Sequence, residues 1–276
     1  MTANMDFQPV KEWNSLRGFA NLFRKESRAW WATRRWWINA LLWTGMIGGL
    51  TGLMLFIMPS IAEASGDPNI ETAGGPLAFG LQLGRSIFFD LGTLVMAIGV
   101  VVLCMDMIVE EKQSGLAEWL LSKPIARRSY VLAKICATLL AVLVLVIALP
   151  ALAAYAMLSL RMGMPYPIVP FLSGIGVMVI HTWFYLTLTA MLGTLFASRP
   201  PILGIALGML FGGNLAATLF QPLLYVMPWS LGKMALLVAE EQALPAGLLW
   251  LPIFSTTLWS LIFILVAVKK FETTEF

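Results

Sequence analysis

Residues 110–134, EEKQSGLAEWLLSKPIARRSYVLAK, form the one long charged stretch between two apolar runs that are each long enough to cross a bilayer. Leu116, Trp119 and Leu120 fall at positions i, i+3 and i+4, so they share one face of a short helix. Pro124 is expected to end that helix, because the residue before a proline is pushed out of the α region. The stretch therefore predicts a rigid cytoplasmic segment, containing a short helix, that is attached to two membrane helices.

The same stretch carries a recognisable motif. An acidic pair is followed by a glycine, by a Leu-Leu-Ser-x-Pro-Ile turn, and by Arg-Arg-x-Tyr-Val-Leu-x-Lys at the opening of an apolar run. The residues concerned are Glu110, Glu111, Gly115, Leu120, Leu121, Ser122, Pro124, Ile125, Arg127, Arg128, Tyr130, Val131, Leu132 and Lys134. This motif resembles the cytoplasmic loop of type-2 ABC exporter permeases. Ser114-Gly115-Leu116 departs mildly from the basic or Gly-Thr pairing that is usual there.

The resemblance implies a role for the loop and a set of partners. In that family the loop is a coupling helix, here within residues 110–128, that docks on a separate ATPase subunit. The implied ATPase contacts are Glu110, Glu111, Gly115, Leu116, Glu118, Trp119 and Leu120. The family also implies two copies of an ATPase that binds ATP and Mg, and a second permease in a homodimer or heterodimer. The alternative for the acids is that they only solvate the loop.

Composition places the chain in a membrane. It is 59% hydrophobic and only 12% charged, whereas soluble domains carry roughly 25% charged residues. Six apolar runs reach the length of about 20 residues that a helix needs to span. They cover residues 37–58, 87–105, 135–158, 168–196, 202–220 and 248–268. The expected fold class is all-α and integral to the membrane, with a cytoplasmic N-terminal helix in residues 1–36 and a six-span domain in residues 37–276.

The basic residues predict the orientation. Seven Lys and Arg residues precede the first span and five lie in the stretch 110–134; Arg199, Lys269 and Lys270 fall on the same side. The remaining three are Arg85, Arg161 and Lys233. Because basic residues accumulate in cytoplasmic loops, we expect a multi-pass protein of the cell (plasma) membrane with both termini in the cytoplasm.

The N-terminal segment has amphipathic periodicity. Within residues 13–31 the apolar side chains are roughly in register on one face, with basic residues elsewhere. Such a helix lies in the membrane interface and contacts lipids. A solvated charged leader is the alternative. The apolar positions are Trp13, Leu16, Phe19, Ala20, Phe23 and Trp30.

The chain changes character beyond Phe220. Prolines and charged residues divide the following segment into apolar pieces that are too short to span. We expect two half-helices that dip into the outer leaflet with their irregular backbone buried against protein, and the family resemblance implies re-entrant helices at the same place. The interrupting residues are Pro222, Pro228, Trp229, Gly232, Lys233, Glu240, Glu241 and Pro245.

Two polar residues within the predicted spans are candidates for a translocation path. Asp90 lies about one turn inside the outer boundary of the second span, where a carboxylate usually faces the bundle interior or water. The alternative is a pair with Arg85 or a hydrogen bond to a neighbour. His181 lies near the middle of the fourth span. The alternative to a role in the path is that His181 is a neutral imidazole that is hydrogen-bonded across helices.

Absent motifs narrow the function. The sequence has no G-x-x-x-x-G-K-[ST] loop for nucleotide phosphates and no CxxC or Cys/His cluster for zinc or redox chemistry. We therefore expect no catalytic residue, cofactor or metal in this chain, and no nucleic-acid partner. The leading hypothesis is the permease subunit of an ATP-driven ABC exporter that moves an amphipathic or lipophilic cargo outward. The alternatives are an ABC-like assembly for signalling, peptide immunity or metal-centre maturation, and a membrane-integral enzyme, which would need a clustered His/Asp/Glu set.

Overall fold

A computed structural model of the chain describes residues 16–123, 125–242 and 246–273, and the regular elements within these ranges are helical. Trp13, Pro124 and Pro245, which the sequence analysis used, lie outside the described residues. The predicted all-α fold class is confirmed.

The helices follow one another with short connections. A 3₁₀ turn at Pro228–Ser230 directly precedes the helix Leu231–Ala239. In chain order they are α1 (Phe19–Trp31), α2 (Arg35–Ala64), α3 (Pro68–Ala73), α4 (Pro76–Gln113), α5 (Leu116–Leu121), α6 (Arg127–Met162), α7 (Ile168–Leu195), α8 (Arg199–Leu219), α9 (Leu223–Val226), α10 (Leu231–Ala239) and α11 (Ala246–Thr273).

Five helices are long and apolar enough to cross a membrane: α2, α4, α6, α7 and the part of α11 from Trp250 to Thr273. They coincide with five of the six predicted spans. The remaining predicted span, residues 202–220, coincides with α8, which has 21 residues and is not among the five. At 1.5 Å per residue, α8 is about 31 Å long, which matches a hydrocarbon core of roughly 30 Å. A sixth crossing therefore remains a prediction.

The second and third span helices extend further than the sequence predicted. Helix α4 runs on to Gln113, so Glu110 and Glu111 lie on its last turns and not on the following loop. Helix α6 already begins at Arg127. The loop between the two spans consequently shrinks to a short segment around α5. This segment defines one end of the molecule, which we call the α5 end.

Helix α7 is the centre of the bundle, packing on α4, α10 and α11. A Cβ atom at Gly174 of α7 would lie 2.6 Å from the Phe89 ring and 2.8 Å from the Ala235 carbonyl oxygen. Only glycine permits that approach. The Phe171 ring is 5.5 Å from Phe89 and 5.8 Å from Phe88. This close packing holds α10 against the span helices and thereby positions the segment around Trp229 near Asp90.

Helices α4 and α6 contain wide π-helical turns. The turn in α6 spans Leu143–Ala148 and directly precedes Pro150, which cannot donate the usual backbone hydrogen bond. The turn in α4 spans Ile87–Leu91 and includes Asp90. Such turns often occur at functional sites, but α2 contains two more, at Thr44–Gly48 and Leu53–Ile57, so the turn alone does not single out Asp90.

The segment beyond Phe220, where two half-helices are predicted, contains two short helices. Helix α9 is a single turn of four residues, and α10 has nine. At 1.5 Å per residue α10 is about 13 Å long, which is too short to span. Their re-entrant position in the outer leaflet remains a prediction.

The face of helix α1 that packs on the bundle overlaps the predicted apolar face in part, since Trp30 is buried and Phe19 and Phe23 are partly buried against the core. Leu22 and Trp30 are buried, and α1 packs along α6. Ala20 and Leu16, which were predicted on the apolar face, are exposed. The buried face also includes the partly buried Glu26, because its carboxylate has cationic partners on α1 and α6.

Candidate functional site

Helix α5 presents a small exposed apolar face. Gly115 precedes it with φ of 71°, a left-handed conformation that glycine adopts without strain, and this residue sets the turn from α4 into α5. Trp119 is 56% exposed and Leu116 is also exposed, whereas Ala117 and Leu120 are buried. The three residues predicted on one face are therefore divided: Leu120 anchors the helix, and Leu116 and Trp119 face outward.

The exposed indole is held in place locally. The Lys123 ammonium lies 3.6 Å from the centre of the Trp119 ring, a cation–π contact. The Ser122 hydroxyl donates to the Trp119 carbonyl oxygen at 2.8 Å. Glu118 is exposed on the same short helix. The arrangement offers a partner one aromatic surface that is bordered by one cation and one carboxylate.

The end of α4 caps the end of α7. Lys112 Nζ donates to the carbonyl oxygens of Gly193 at 3.2 Å and Thr194 at 3.0 Å, and Gln113 Nε2 donates to Ala197 O at 2.8 Å. A cation suits the negative end of a helix and satisfies carbonyls that have no intrahelical partner. Sequence reasoning missed this contact, because nothing in the local pattern shows which helix end Lys112 meets.

Glu111 is the centre of a buried charge cluster that joins α1, α4 and α6. Its carboxylate lies 2.6 Å from Lys25 Nζ and 3.0 Å from Lys134 Nζ, and it accepts a 2.6 Å hydrogen bond from the Tyr130 hydroxyl. Glu26 bridges the same two lysines at 3.1 and 3.2 Å. The Lys134 side chain is 4% exposed and that of Glu111 is 14% exposed. Glu111 therefore binds within the chain, while Glu110 beside it is exposed.

Its ion pairs with Glu26 and Glu111 keep Lys25, the more exposed lysine of the cluster, positively charged. Burial alone would lower the pKa of Lys25, but the hydrogen bond to Glu111 and the nearby Glu26 carboxylate raise it above the ordinary lysine value. The stability that this gives is present at neutral pH and is lost only as the pH rises through that elevated pKa. The signal that sequence reasoning could have used is Lys134, a cation one helical turn into a predicted apolar run.

The segments at α1 and α11, the first and last described helices, both pack at the α5 end. The Ala126 amide donates to Arg17 O at 3.1 Å, just before α1. On α11, Phe271 stacks on Tyr130 at 4.8 Å, and Glu272 pairs with Arg128. The segment around α5 is consequently tied to α1 and α11 as well as to its own two spans.

The two candidate path residues, Asp90 and His181, line one cavity of about 170 Å³, together with Trp229 and Gly232. The alternative pairing of Asp90 with Arg85 does not occur: Arg85 Nε lies 3.3 Å from a carboxylate oxygen of Glu240 instead. Sequence spacing could not show this convergence, because the four residues come from three separate segments. Their role in a translocation path remains a prediction.

Within the described ranges, no group of three or more His, Cys, Asp or Glu side chains lies close enough together to hold a metal ion. The ATPase contacts assigned to Glu110, Glu111, Gly115, Leu116, Glu118, Trp119 and Leu120 likewise remain predictions. The geometry divides this set into an exposed group and an internally engaged group that includes Glu111 and Leu120.

Comparison with models of known protein families identifies one family for this chain. The family model described as ABC-2 family transporter protein matches residues 20–276, which is nearly the whole chain. No curated protein matches the chain significantly. The match includes α1, the α5 end and all of the span helices. The chain therefore belongs to the ABC-2 transporter family, and it is a multi-pass membrane protein of the permease type found in ABC transporters.

Proposed function

We propose that this protein is the membrane-spanning subunit of an ATP-driven exporter, and that α5 is its docking element for a separate ATPase. The family usually works with an ABC ATPase and often as a dimer. In this proposal two permeases, identical or sister chains, stand over two ATPase subunits that bind ATP and Mg. Cargo moves outward, and all six predicted spans cross the plasma membrane with both termini in the cytoplasm.

The observation that carries the proposal is the exposed apolar face of α5. Trp119 and Leu116 project from a six-residue helix whose other side is buried. An aromatic side chain surrounded by polar groups is a typical anchor of a protein–protein interface. Because basic residues accumulate in cytoplasmic loops, we expect this end of the molecule in the cytoplasm. Lipid does not cover the Trp119 indole there, so a soluble partner accounts for its exposure.

The contacts behind α5 give the mechanical part of the proposal. Lys112 fastens the end of α4 to the end of α7, and Glu111 fastens it to α1 and α6. A displacement of α5 by a closing ATPase would therefore move these helices together. Asp106 of α4 also pairs with Arg199 of α8 at 2.5 Å, which extends the connection to the predicted fifth span.

Purification of the full-length permease from native membranes, followed by mass spectrometry, tests the proposal. We expect a soluble P-loop ATPase at near-stoichiometric level with the wild type. Trp119→Asp should release it, because burial of an unpaired carboxylate in an interface costs several kcal/mol. Glu71→Ala, in the exposed helix α3, is the matched control and should retain the ATPase. Well-folded wild-type permease with no ATPase would contradict the proposal.

A further inference from the structure

A cavity of about 170 Å³ lies between α4, α7 and the segment that leads into α10. Asp90, which is exposed, lines it from the π-helical turn of α4, so the cavity opens to the surface of the chain there, and Trp229 and Gly232 line its other side. The fit is close, since a Cβ atom at Gly232 would lie 3.1 Å from an Asp90 carboxylate oxygen. A space of this size has room for about five groups the size of a water molecule.

His181 lines the same cavity with unmet hydrogen-bonding capacity. Its side chain is 4% exposed, and its Nδ1 atom is buried without a hydrogen-bond partner in the described chain. Buried polar atoms in proteins are nearly always paired, and one in a membrane interior has no water to turn to. The His181 ring thus adds a polar group to the wall of the cavity, although its Nδ1 atom is itself buried beneath the cavity surface.

The remaining lining defines the chemistry of a ligand for the cavity. It includes one carboxylate and the Trp229 indole, surrounded by the leucine side chains Leu91, Leu94 and Leu210. No cation is among the described lining residues. An ammonium group fits best, because it donates charge-assisted hydrogen bonds to a carboxylate and is attracted by an indole.

We propose that this cavity is a cargo subsite that binds the ammonium group of an amphipathic amine, with the alkyl part of the cargo among the leucines. The inference rests on the proposed export function and assigns the cargo class to it. Asp90 supplies the charge, His181 a polar group and Trp229 an aromatic wall.

Lys233 supplies an internal competitor for the site. It follows Gly232 directly, its side chain is exposed, and its charge acts on the Asp90 carboxylate. The Lys233 ammonium and the Asp90 carboxylate form no direct ion pair, unlike Arg85 with Glu240 and Arg199 with Asp106. A cargo ammonium at Asp90 therefore competes with the charge of Lys233 for the same carboxylate. Removal of Asp90 and removal of Lys233 should consequently change cargo affinity in opposite directions.

Equilibrium binding of a fluorescent probe tests the subsite. The full-length permease in phosphatidylcholine nanodiscs is titrated with a dansyl-labelled dodecylammonium and with the same chain ending in a sulfonate. We expect saturable binding of the ammonium probe only. Asp90→Asn should weaken it by about tenfold or more, the usual scale for loss of one charge-assisted bond. Lys233→Met should strengthen it, and Glu71→Gln, which removes a carboxylate from α3, should leave it unchanged.

Equal binding of the sulfonate probe, or unchanged affinity for the ammonium probe in Asp90→Asn, would overturn the inference. Weaker binding in Lys233→Met would do so as well, which keeps the test decisive if Asp90→Asn does not fold. The ATPase content of each purified sample separates this inference from the proposed function. Retained ATPase with unchanged probe affinity refutes only the subsite, whereas wild-type protein without ATPase bears on the exporter proposal.

Discussion

At the scale of single residues, Glu110 and Glu111 are adjacent carboxylates with opposite surroundings. Glu110 is exposed on the last turns of α4, while Glu111 contacts Lys25, Lys134 and Tyr130. A pattern of two acids in sequence cannot distinguish these environments. The distinction depends on α1, whose cation arrives from 86 residues away. The pair therefore separates a residue that is free to meet a partner from one that holds the fold.

Glu111→Gln should destabilise the permease, because two lysines lose a partner in a largely buried site. Loss of a hydrogen-bonded charge costs about 2 kcal/mol, or roughly 5 °C in the unfolding midpoint of a chain this size. Glu110→Gln is the matched control and should leave the midpoint unchanged. Thermal unfolding of both variants in one detergent makes the comparison. Equal midpoints would show that the cluster does not stabilise the protein.

Gly213 of α8 makes room for Trp229. A Cβ atom there would lie 1.9 Å from the indole, whose Nε1 donates to Met209 O at 2.9 Å. Gly213→Ala should therefore displace Trp229 and cost about 1–3 kcal/mol of stability. Gly208→Ala in the same helix has open space around it and serves as the control. If both variants unfold at the wild-type temperature, the close approach of α8 to Trp229 is wrong.

At the scale of elements, α5 has a face for anchoring and a face for contact. Leu120→Ala should destabilise the permease by about 2–3 kcal/mol, because it removes a buried side chain. Trp119→Ala should change stability by less than about 0.5 kcal/mol, as is usual for exposed positions, and yet weaken ATPase retention. Unfolding midpoints and ATPase content of the two variants are measured together. A large loss of stability in Trp119→Ala would place this side chain in the fold and not at an interface.

Hydropathy was sufficient to locate the span helices, because a run of about 20 consecutive apolar residues has the length of a helix that crosses the hydrocarbon core of a bilayer. Their ends were not predictable. Helix α4 continues through Glu110 and Lys112 since the charges there have partners on α1, α6 and α7. The same reason explains why Glu26 of α1 is partly buried, because its carboxylate pairs with Lys25 and Lys134. The periodicity of apolar residues depends on one helix alone. It contains no information on the charged side chains that another helix brings into contact with it.

At the scale of the whole molecule, α1, α4, α6, α7 and α11 all make contacts at the α5 end. The Asp90 cavity lies on the same two long helices, α4 and α7, away from that end. Sequence reasoning identified Asp90 and His181 separately from their polarity inside apolar runs. Their meeting in one cavity depends on the packing of α10 against α7, which no local pattern contains. The helix proposed to dock the ATPase and the cavity proposed to bind cargo are therefore joined by the same two helices, α4 and α7.

Site-specific photo-crosslinking from position 119 tests the central claim most directly. A benzophenone amino acid replaces Trp119 in the full-length permease, and illuminated native membranes are analysed by mass spectrometry. The account predicts a covalent adduct with a P-loop ATPase from position 119 and none from position 71 on α3. A stably folded, ATPase-bound permease that gives no adduct from position 119 would contradict the assignment of α5 as the docking helix.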